Sequence, residues 1–205
     1  MKAVLLDRDE RSTRSVGLII REGGVAAIPT DTVYGLACDP FNAGAVHRLF
    51  EVKGRQSKPL PVLCQHQQEA ERLVKLEPRA LELARAYWPG PLTIVAPLRM
   101  EFPLTLHQGT GWLGVRVPGS LTAASIAEAA GGCVTGTSAN LSGRPSCRTA
   151  QEVEEQLGDQ IDAIVDGGRL EARESTVVRV LGGTVEVLRK GAISLEQGIQ
   201  RESQR

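Results

Sequence analysis

The stretch STVVRVLGGTVEVLR, Ser175 to Arg189, determines the class of fold that the rest of the chain completes. It contains two apolar, largely β-branched runs, Ser175–Leu181 and Val185–Leu188, which predict two strands. The glycines between them, Gly182 and Gly183, predict a hairpin turn, because glycine accepts the positive φ angles of such turns. Upstream, helix-like and strand-like segments alternate irregularly. The pattern predicts an α/β protein, a single domain with a twisted mixed β-sheet and flanking helices.

Length and composition are those of one ordinary globular domain. The chain has 205 residues, 41% of them hydrophobic and 23% charged, which suits one buried core rather than a disordered or membrane-spanning chain. We expect the domain to comprise residues 1–195 and a polar C-terminal tail to comprise residues 196–205. Lysine plus arginine balances aspartate plus glutamate at 24 each, so the total charge does not favour nucleic acid.

The N-terminus and the cysteines predict a cytoplasmic protein with no membrane association. The opening MKAVLLDRDE has too short an apolar run for a signal peptide or an anchor. Cys38, Cys64, Cys133 and Cys147 lie far apart without a CxxC spacing, and a chain of this size needs no disulfides. We therefore expect free thiols and a reducing compartment.

A polar loop directly follows the predicted strand Cys133–Thr135. It reads GTSANLSGRPS and carries several hydroxyls, one carboxamide and one guanidinium, with little to bury. In a hydrophobic core, Ser138, Asn140 and Ser146 would each need a hydrogen-bond partner. The loop is therefore predicted to hold a polar ligand.

A second group of candidate ligand-binding residues is cationic. Lys53 and Arg55 lie at the predicted end of a helix, with Lys58 just beyond, and a solvated helix terminus is the alternative interpretation, since cations stabilise that end of a helix. Arg116, however, lies between two valines, and Arg189 ends a predicted strand. Partly buried cations are costly without a partner, so these positions favour an anionic ligand such as phosphate.

The sequence lacks the motifs that mark several common classes of enzyme. Neither a GxxxxGK[ST] phosphate loop nor a GxGxxG dinucleotide loop is present, and there is no GxSxG nucleophile motif. His47, His66 and His107 are isolated from one another and from the cysteines, so we predict no protein-bound metal.

Seven short blocks stand out along the sequence. They are PTDTVYGLACDP (Pro29–Pro40), KGR with KPL (Lys53–Leu60), WPGPLTIV (Trp88–Val95), GVRVP (Gly114–Pro118), TSANLSGRPS (Thr137–Ser146), STVV (Ser175–Val178) and LRKG (Leu188–Gly191). Together these blocks resemble the YrdC-like threonylcarbamoyl-AMP synthases, in their short, single-domain form. One short motif such as SAN or KGR would be weak, whereas seven blocks in the family's order are specific.

The resemblance implies a YrdC-like fold, a basic concave surface and a nucleotidyltransferase reaction. ATP, L-threonine and bicarbonate would give threonylcarbamoyl-adenylate and pyrophosphate, and the product would supply N6-threonylcarbamoyl modification of adenosine in tRNA. Mg²⁺ would arrive on ATP, and a downstream threonylcarbamoyl-transferase complex would consume the product.

The resemblance also implies a set of site residues. The implied L-threonine ligands are Thr32, Arg116, Gly136 and Ser175, and Lys53 and Arg55 are the implied catalytic residues. The implied ATP ligands are Lys53, Arg55, Lys58, Ser138, Asn140, Ser146 and Arg189.

Two other functions stay open at this point. The chain could be a binding module of the same fold that contacts tRNA or double-stranded RNA, which predicts steep salt dependence of RNA binding and no threonine-dependent turnover. It could also be a carbamoyl-transferring enzyme domain, a type that the resemblance places in larger chains with zinc-finger or kinase-like domains.

Overall fold

A computed structural model describes residues 3–54 and 58–195 of the chain. The helices in these ranges are α1 (Glu10–Arg21), α2 (Ala43–Lys53), α3 (Gln67–Leu73), α4 (Pro78–Tyr87), α5 (Leu104–His107), α6 (Leu121–Ala129) and α7 (Ala150–Leu157). The strands are β1 (Val4–Leu6), β2 (Ala26–Ile28), β3 (Gly35–Ala37), β4 (Val62–Cys64), β5 (Leu92–Pro97), β6 (Trp112–Arg116), β7 (Cys133–Thr135), β8 (Thr137–Ser138), β9 (Ala163–Val165), β10 (Thr176–Leu181) and β11 (Thr184–Arg189).

The strands pair both parallel and antiparallel, which confirms the predicted mixed α/β class. A five-stranded sheet has the order β1-β9-β2-β3-β8, and a six-stranded sheet has the order β11-β10-β5-β6-β4-β7. In the six-stranded sheet, β5 is parallel to β10 and antiparallel to β6. The predicted hairpin closes this sheet, and its turn glycines Gly182 and Gly183 adopt φ angles of 57° and 78°.

The prediction of one sheet was wrong, because the strands divide into two sheets at Gly136. β7 pairs with β4 up to Thr135, whereas β8 pairs with β3 from Thr137 onward. A Cβ at position 136 would lie 2.4 Å from Cγ of Leu63, so the chain crosses between the sheets where it has no side chain. Local apolar patterning identifies a strand but does not specify the sheet to which the strand belongs.

Capping residues determine where α2 and α7 begin and where α2 ends. Asn42 caps α2 by accepting hydrogen bonds from two backbone N–H groups, and Gly54 ends the helix in the left-handed conformation with φ 60°. Thr149 caps α7 by accepting a hydrogen bond from the N–H of Glu152. The carboxylate of Glu152 accepts from the N–H of Arg148 at 2.7 Å, so the capping pair reaches one residue further back than a simple capping box.

The buried apolar residues form two clusters. One contains mainly residues of α1, α6 and the five-stranded sheet, including Val16, Ile20 and Ile126. The larger cluster packs the helices α2, α4 and α7 against strands of both sheets. All four cysteines are buried and unpaired. Within residues 3–54 and 58–195, no helix combines the length and the apolarity that crossing a membrane requires.

Candidate active site

A cavity of about 500 Å³ lies over one face of the six-stranded sheet. Alternate residues of a strand point to the same face, and the cavity is lined by Thr93 and Val95 of β5 and by Trp112, Gly114 and Arg116 of β6. The remaining lining residues come from β4, β8, β10, β11 and the segments that precede β3, β4, β6, β8 and β10: Thr32, Val33, Lys58, Pro59, Leu60, Pro61, Leu63, Thr110, Gly136, Thr137, Ser138, Glu174, Ser175, Val177, Arg179, Leu188 and Arg189.

Seven of the predicted site residues therefore share one cavity. They come from distant parts of the chain and include all four implied L-threonine ligands. These seven are Thr32, Lys58, Arg116, Gly136, Ser138, Ser175 and Arg189.

Arg116 is the most deeply buried cation of the cavity wall, with 5% of its surface exposed. Its Nε donates to the carbonyl oxygen of Gly90 at 2.9 Å, and Nη1 donates to Oγ1 of Thr32 at 3.2 Å. Nη2 forms an ion pair with Oδ1 of Asp31 at 2.5 Å. The guanidinium is thus held from three sides, and its orientation is fixed before any ligand binds.

Burial and Asp31 act on the Arg116 charge in opposite directions. Burial lowers the pKa of Arg116 from its ordinary value, and the neighbouring Asp31 carboxylate partly offsets this by favouring the charged form. Thr32 is fixed by its own neighbour, since Oγ1 of Thr32 lies 2.9 Å from Oγ1 of Thr30. Together these contacts build a rigid polar wall at the end of β6.

Arg189 and Ser175 connect two adjacent strand ends. Nη2 of Arg189 donates to Oγ of Ser175 at 3.0 Å, and Nε donates to the carbonyl oxygen of Ser175 at 3.1 Å. Oγ of Ser175 also lies 2.9 Å from Oγ1 of Thr93. A predicted ATP ligand is therefore in direct contact with a predicted L-threonine ligand.

Glu174 joins this network from the cavity wall. Its Oε2 pairs with Nη1 of Arg189 at 2.7 Å, and its Oε1 accepts from Oγ of Ser146 at 2.6 Å. Ser146 therefore reaches the wall of the cavity through Glu174, although Ser146 itself is not among the lining residues that the structure describes.

Lys53 lies beside the cavity and supports the polar loop. Its side chain is buried, and Nζ donates to the carbonyl oxygens of Ser138 at 2.5 Å and of Asn140 at 3.1 Å. Its charge therefore fixes the backbone that carries two other predicted ATP ligands. Arg55, the second predicted catalytic residue, lies outside the described residues.

Asn140 is turned toward its own loop. Its Nδ2 donates to the carbonyl oxygens of Leu141 and Arg144 at 2.8 and 2.7 Å. Its Oδ1 is buried and has no hydrogen-bond partner among the described residues. A buried acceptor of this kind is costly, and it is the polar atom of this loop best suited to accept a hydrogen bond from a ligand.

Sequence reasoning missed the two carboxylates of the site. These are Asp31 and Glu174, and each pairs with a predicted cation, Arg116 or Arg189. The only available signal was adjacency, since Asp31 precedes Thr32 and Glu174 precedes Ser175 in the chain. Leu188, on the apolar side of the cavity, was also missed.

The fold and the site define a mixed α/β protein with a cation-lined cavity at strand ends, the arrangement that suits an anionic ligand. The sequence matches the family Sua5_yciO_yrdC, described as "Telomere recombination", over residues 18–191. The chain belongs to this Sua5/YciO/YrdC family. The resemblance to YrdC-like proteins is thereby confirmed.

Two similar proteins are both named threonylcarbamoyl-AMP synthase. A threonylcarbamoyl-AMP synthase of Pyrococcus abyssi is 36% identical over 192 residues, which cover 92% of this chain and 56% of that protein. A threonylcarbamoyl-AMP synthase of Halorhodospira halophila is 41% identical over 150 residues, which cover 72% of this chain and 78% of that protein. The chain thus spans little more than half the length of the P. abyssi relative.

A solved structure shares the fold. The crystal structure of P. abyssi Sua5 complexed with L-threonine matches with a TM-score of 0.89 and 35% identity, covering 96% of this chain and 59% of that chain. The predicted YrdC-like fold is therefore confirmed.

Proposed function

We propose that the protein is a threonylcarbamoyl-AMP synthase. It would condense L-threonine, bicarbonate and ATP to threonylcarbamoyl-adenylate and pyrophosphate. The observation that carries the proposal is the contact between Arg189 and Ser175, because it joins a predicted ATP ligand to a predicted L-threonine ligand in one cavity. The names of the relatives and the L-threonine bound to P. abyssi Sua5 support the same choice of substrates.

The L-threonine end of the cavity would be formed by Thr32, Arg116, Gly136 and Ser175. We assign the substrate carboxylate to Arg116, because a buried guanidinium held in a fixed orientation suits a carboxylate. Thr32 would face the hydroxyl of the substrate. A site that hydrogen-bonds the substrate hydroxyl rejects valine, because valine leaves the polar groups of the site unpaired. Serine is harder to exclude, since it lacks only a methyl group, and one such group typically gives about 1 to 3 kcal/mol of discrimination.

The ATP end would use the cations and the polar loop. We assign phosphate contacts to Lys58, Arg189 and Arg55, and contacts to ribose or phosphate to Ser138, Asn140 and Ser146. Lys53 would act through the backbone carbonyls of Ser138 and Asn140 that it already holds. The cations of the wall outnumber its carboxylates, which fits a polyphosphate that brings its own Mg²⁺ rather than a bare metal ion.

The chemistry needs positioning more than a protein nucleophile. The unprotonated amine of L-threonine attacks the carbon of bicarbonate, or of carbon dioxide derived from it, and a carbamate forms with loss of water or a proton. A carbamate oxygen then attacks the α-phosphorus of ATP, and pyrophosphate leaves with the electron pair of the broken bond. Both nucleophiles come from substrates, so the protein contributes orientation and charge neutralisation.

Pyrophosphate release tests the proposal. We expect release from ATP only when L-threonine and bicarbonate are both present, and Lys53→Ala and Arg116→Ala should each lose most of the rate. The Arg116 variant should show its larger defect in L-threonine affinity. Equal release without L-threonine would refute the reaction, and a selective defect in ATP affinity would refute the assignment of Arg116.

The product would pass to a threonylcarbamoyl-transferase complex that modifies tRNA, and tRNA or double-stranded RNA would contact the basic surface. The four buried thiols support a reducing, cytoplasmic location. Salt-dependent RNA binding without L-threonine-dependent turnover would favour an RNA-binding module instead.

A further inference from the structure

Each arginine of the cavity wall has a carboxylate partner, but the three partners lie in different places. Arg116 pairs with Asp31 and Arg179 pairs with Glu186, and neither acid is among the lining residues. Arg189 pairs with Glu174, which does line the cavity. Among the described lining residues, Glu174 is the one carboxylate. Its charge therefore shares the space that a bound anion would take.

Both contacts of the Glu174 carboxylate go to groups predicted to hold ATP. Nη1 of Arg189 and Oγ of Ser146 lie 2.7 and 2.6 Å from its two oxygens. A phosphate group presents the same kind of acceptor oxygens to an arginine and a hydroxyl. The carboxylate thus makes the bonds that a phosphate group would make there.

Removing the carboxylate from this position would leave Arg189 in place. Nε and Nη2 of Arg189 remain bonded to the carbonyl oxygen and Oγ of Ser175. Glu174 is also anchored independently of its side chain, since its carbonyl oxygen accepts from the N–H of Ala192 at 2.9 Å. The side chain is 37% exposed, which gives it room to turn outward.

From this geometry we propose that Glu174 is a specificity-determining residue that competes with the phosphates of ATP for Arg189 and Ser146. A weakly charged ligand does not displace the carboxylate, whereas a triphosphate does. The cavity therefore favours ligands of high negative charge over singly charged anions. This inference rests on the proposed function, because it takes ATP as the ligand.

Equilibrium binding of ATP without L-threonine and bicarbonate tests this role, since no turnover occurs. Isothermal titration calorimetry should show that Glu174→Gln binds ATP about fivefold more tightly than the wild type, the size expected for losing a partly exposed ion pair. Adenosine, which has no phosphate, should bind both proteins equally. Glu171→Gln is the matched control, because Glu171 pairs with Arg148 and Arg169 outside the cavity and should leave ATP affinity unchanged.

A second variant covers the case in which Glu174→Gln does not fold, which thermal denaturation without ligand reveals. Glu174→Asp keeps the charge but shortens its reach to Arg189, so it should bind ATP more tightly than the wild type, by less than the fivefold expected for Glu174→Gln. Unchanged or weaker ATP binding by each variant that folds would overturn the competition while leaving the proposed function intact. Absence of ATP binding by the wild type would overturn both.

Discussion

Nη1 of Arg116 and Oγ1 of Thr32 lie 3.2 Å apart within the cavity wall, although 84 residues separate them in the chain. The hydroxyl of Thr32 accepts from the guanidinium and also lies 2.9 Å from that of Thr30. Oγ1 of Thr32 thus helps to orient the buried guanidinium of Arg116. It is itself oriented by Thr30, which lies in the segment between β2 and β3. Disturbing Thr32 should therefore affect the binding of L-threonine through both groups.

Thr32→Val tests this coupling, because valine keeps the shape and removes the hydroxyl. We expect the affinity for L-threonine to fall about tenfold, since hydrogen bonds to charged groups contribute roughly 1.5 to 3 kcal/mol. Calorimetric titration with L-threonine measures the change. Thr13→Val, at a similarly buried threonine of α1, is the control and should bind L-threonine normally. An equal effect of the two substitutions would contradict the assignment of Thr32.

The Arg116–Asp31 ion pair should matter for stability. Arg116→Met would leave the Asp31 carboxylate, which is 14% exposed, without its cation, and the free energy of unfolding should fall by about 3 to 5 kcal/mol. The double substitution Asp31→Asn with Arg116→Met should recover much of this loss. Urea denaturation of the two variants measures both quantities. A loss below about 1 kcal/mol in the single variant would show that the pair is not effectively buried.

Gly136 should not tolerate a side chain while Leu63 is present. The new Cβ of Gly136→Ala would lie 2.4 Å from Cγ of Leu63, and we expect a destabilisation of about 1 to 3 kcal/mol. Leu63→Ala alone creates a cavity and should also destabilise, by about 2 to 5 kcal/mol. In the double variant the two effects should partly cancel, because each change relieves the other. Additive losses in urea denaturation would mean that the contact is unimportant.

The buried cysteines should make stability fall at alkaline pH. Burial raises the pKa of Cys38 and Cys133 to about 12 and that of Cys147 to about 11. Between pH 9 and 11 the unfolded chain loses thiol protons that the folded chain keeps, so unfolding becomes more favourable as the pH rises, by up to about 1.4 kcal/mol per pH unit for each thiol. Urea denaturation across this range measures the slope.

Cys147→Ala provides the comparison for the alkaline effect. Removing one thiol with a raised pKa should make the free energy of unfolding decrease less steeply with pH than in the wild type. The same burial predicts slow reaction of the native thiols with a disulfide reagent at pH 8 and rapid reaction after unfolding. Rapid labelling of the native protein would show that the thiols are more accessible than the structure indicates.

Elements with strong local signals were predictable from the sequence. The segment Pro78–Tyr87 forms α4, and its bounds follow from the local sequence, because a proline begins it and Trp88-Pro89-Gly90 ends it. The hairpin turn at Gly182 and Gly183 also lies where predicted. The short helix α5 was not predicted, since Leu104–His107 is one turn without an apolar repeat.

The candidate site was predictable by residue type but not by partner. Arg116 and Arg189 were identified because cations in apolar strands are unusual, and both line the cavity. Their carboxylate partners depend on tertiary pairing, which no local pattern encodes. The direction of Lys53 was likewise unpredictable, because a helix-terminal lysine can point to solvent or, as here, to the carbonyl oxygens of Ser138 and Asn140.

The alternation of side chains along β5, β6 and β10 has a consequence for how the cavity can change. In the paired strands, Val95 lies beside Arg179, and Ile94 lies opposite Val115. This register places the side chains of Arg116 and Arg179 on the same face of the sheet, toward the cavity. Inserting or deleting one residue in β10 would turn Arg179 and Val177 to the opposite face together. Substitutions in these strands could therefore change which ligands the cavity binds. An insertion that lengthens one of the strands would instead remove several lining side chains from the cavity at once.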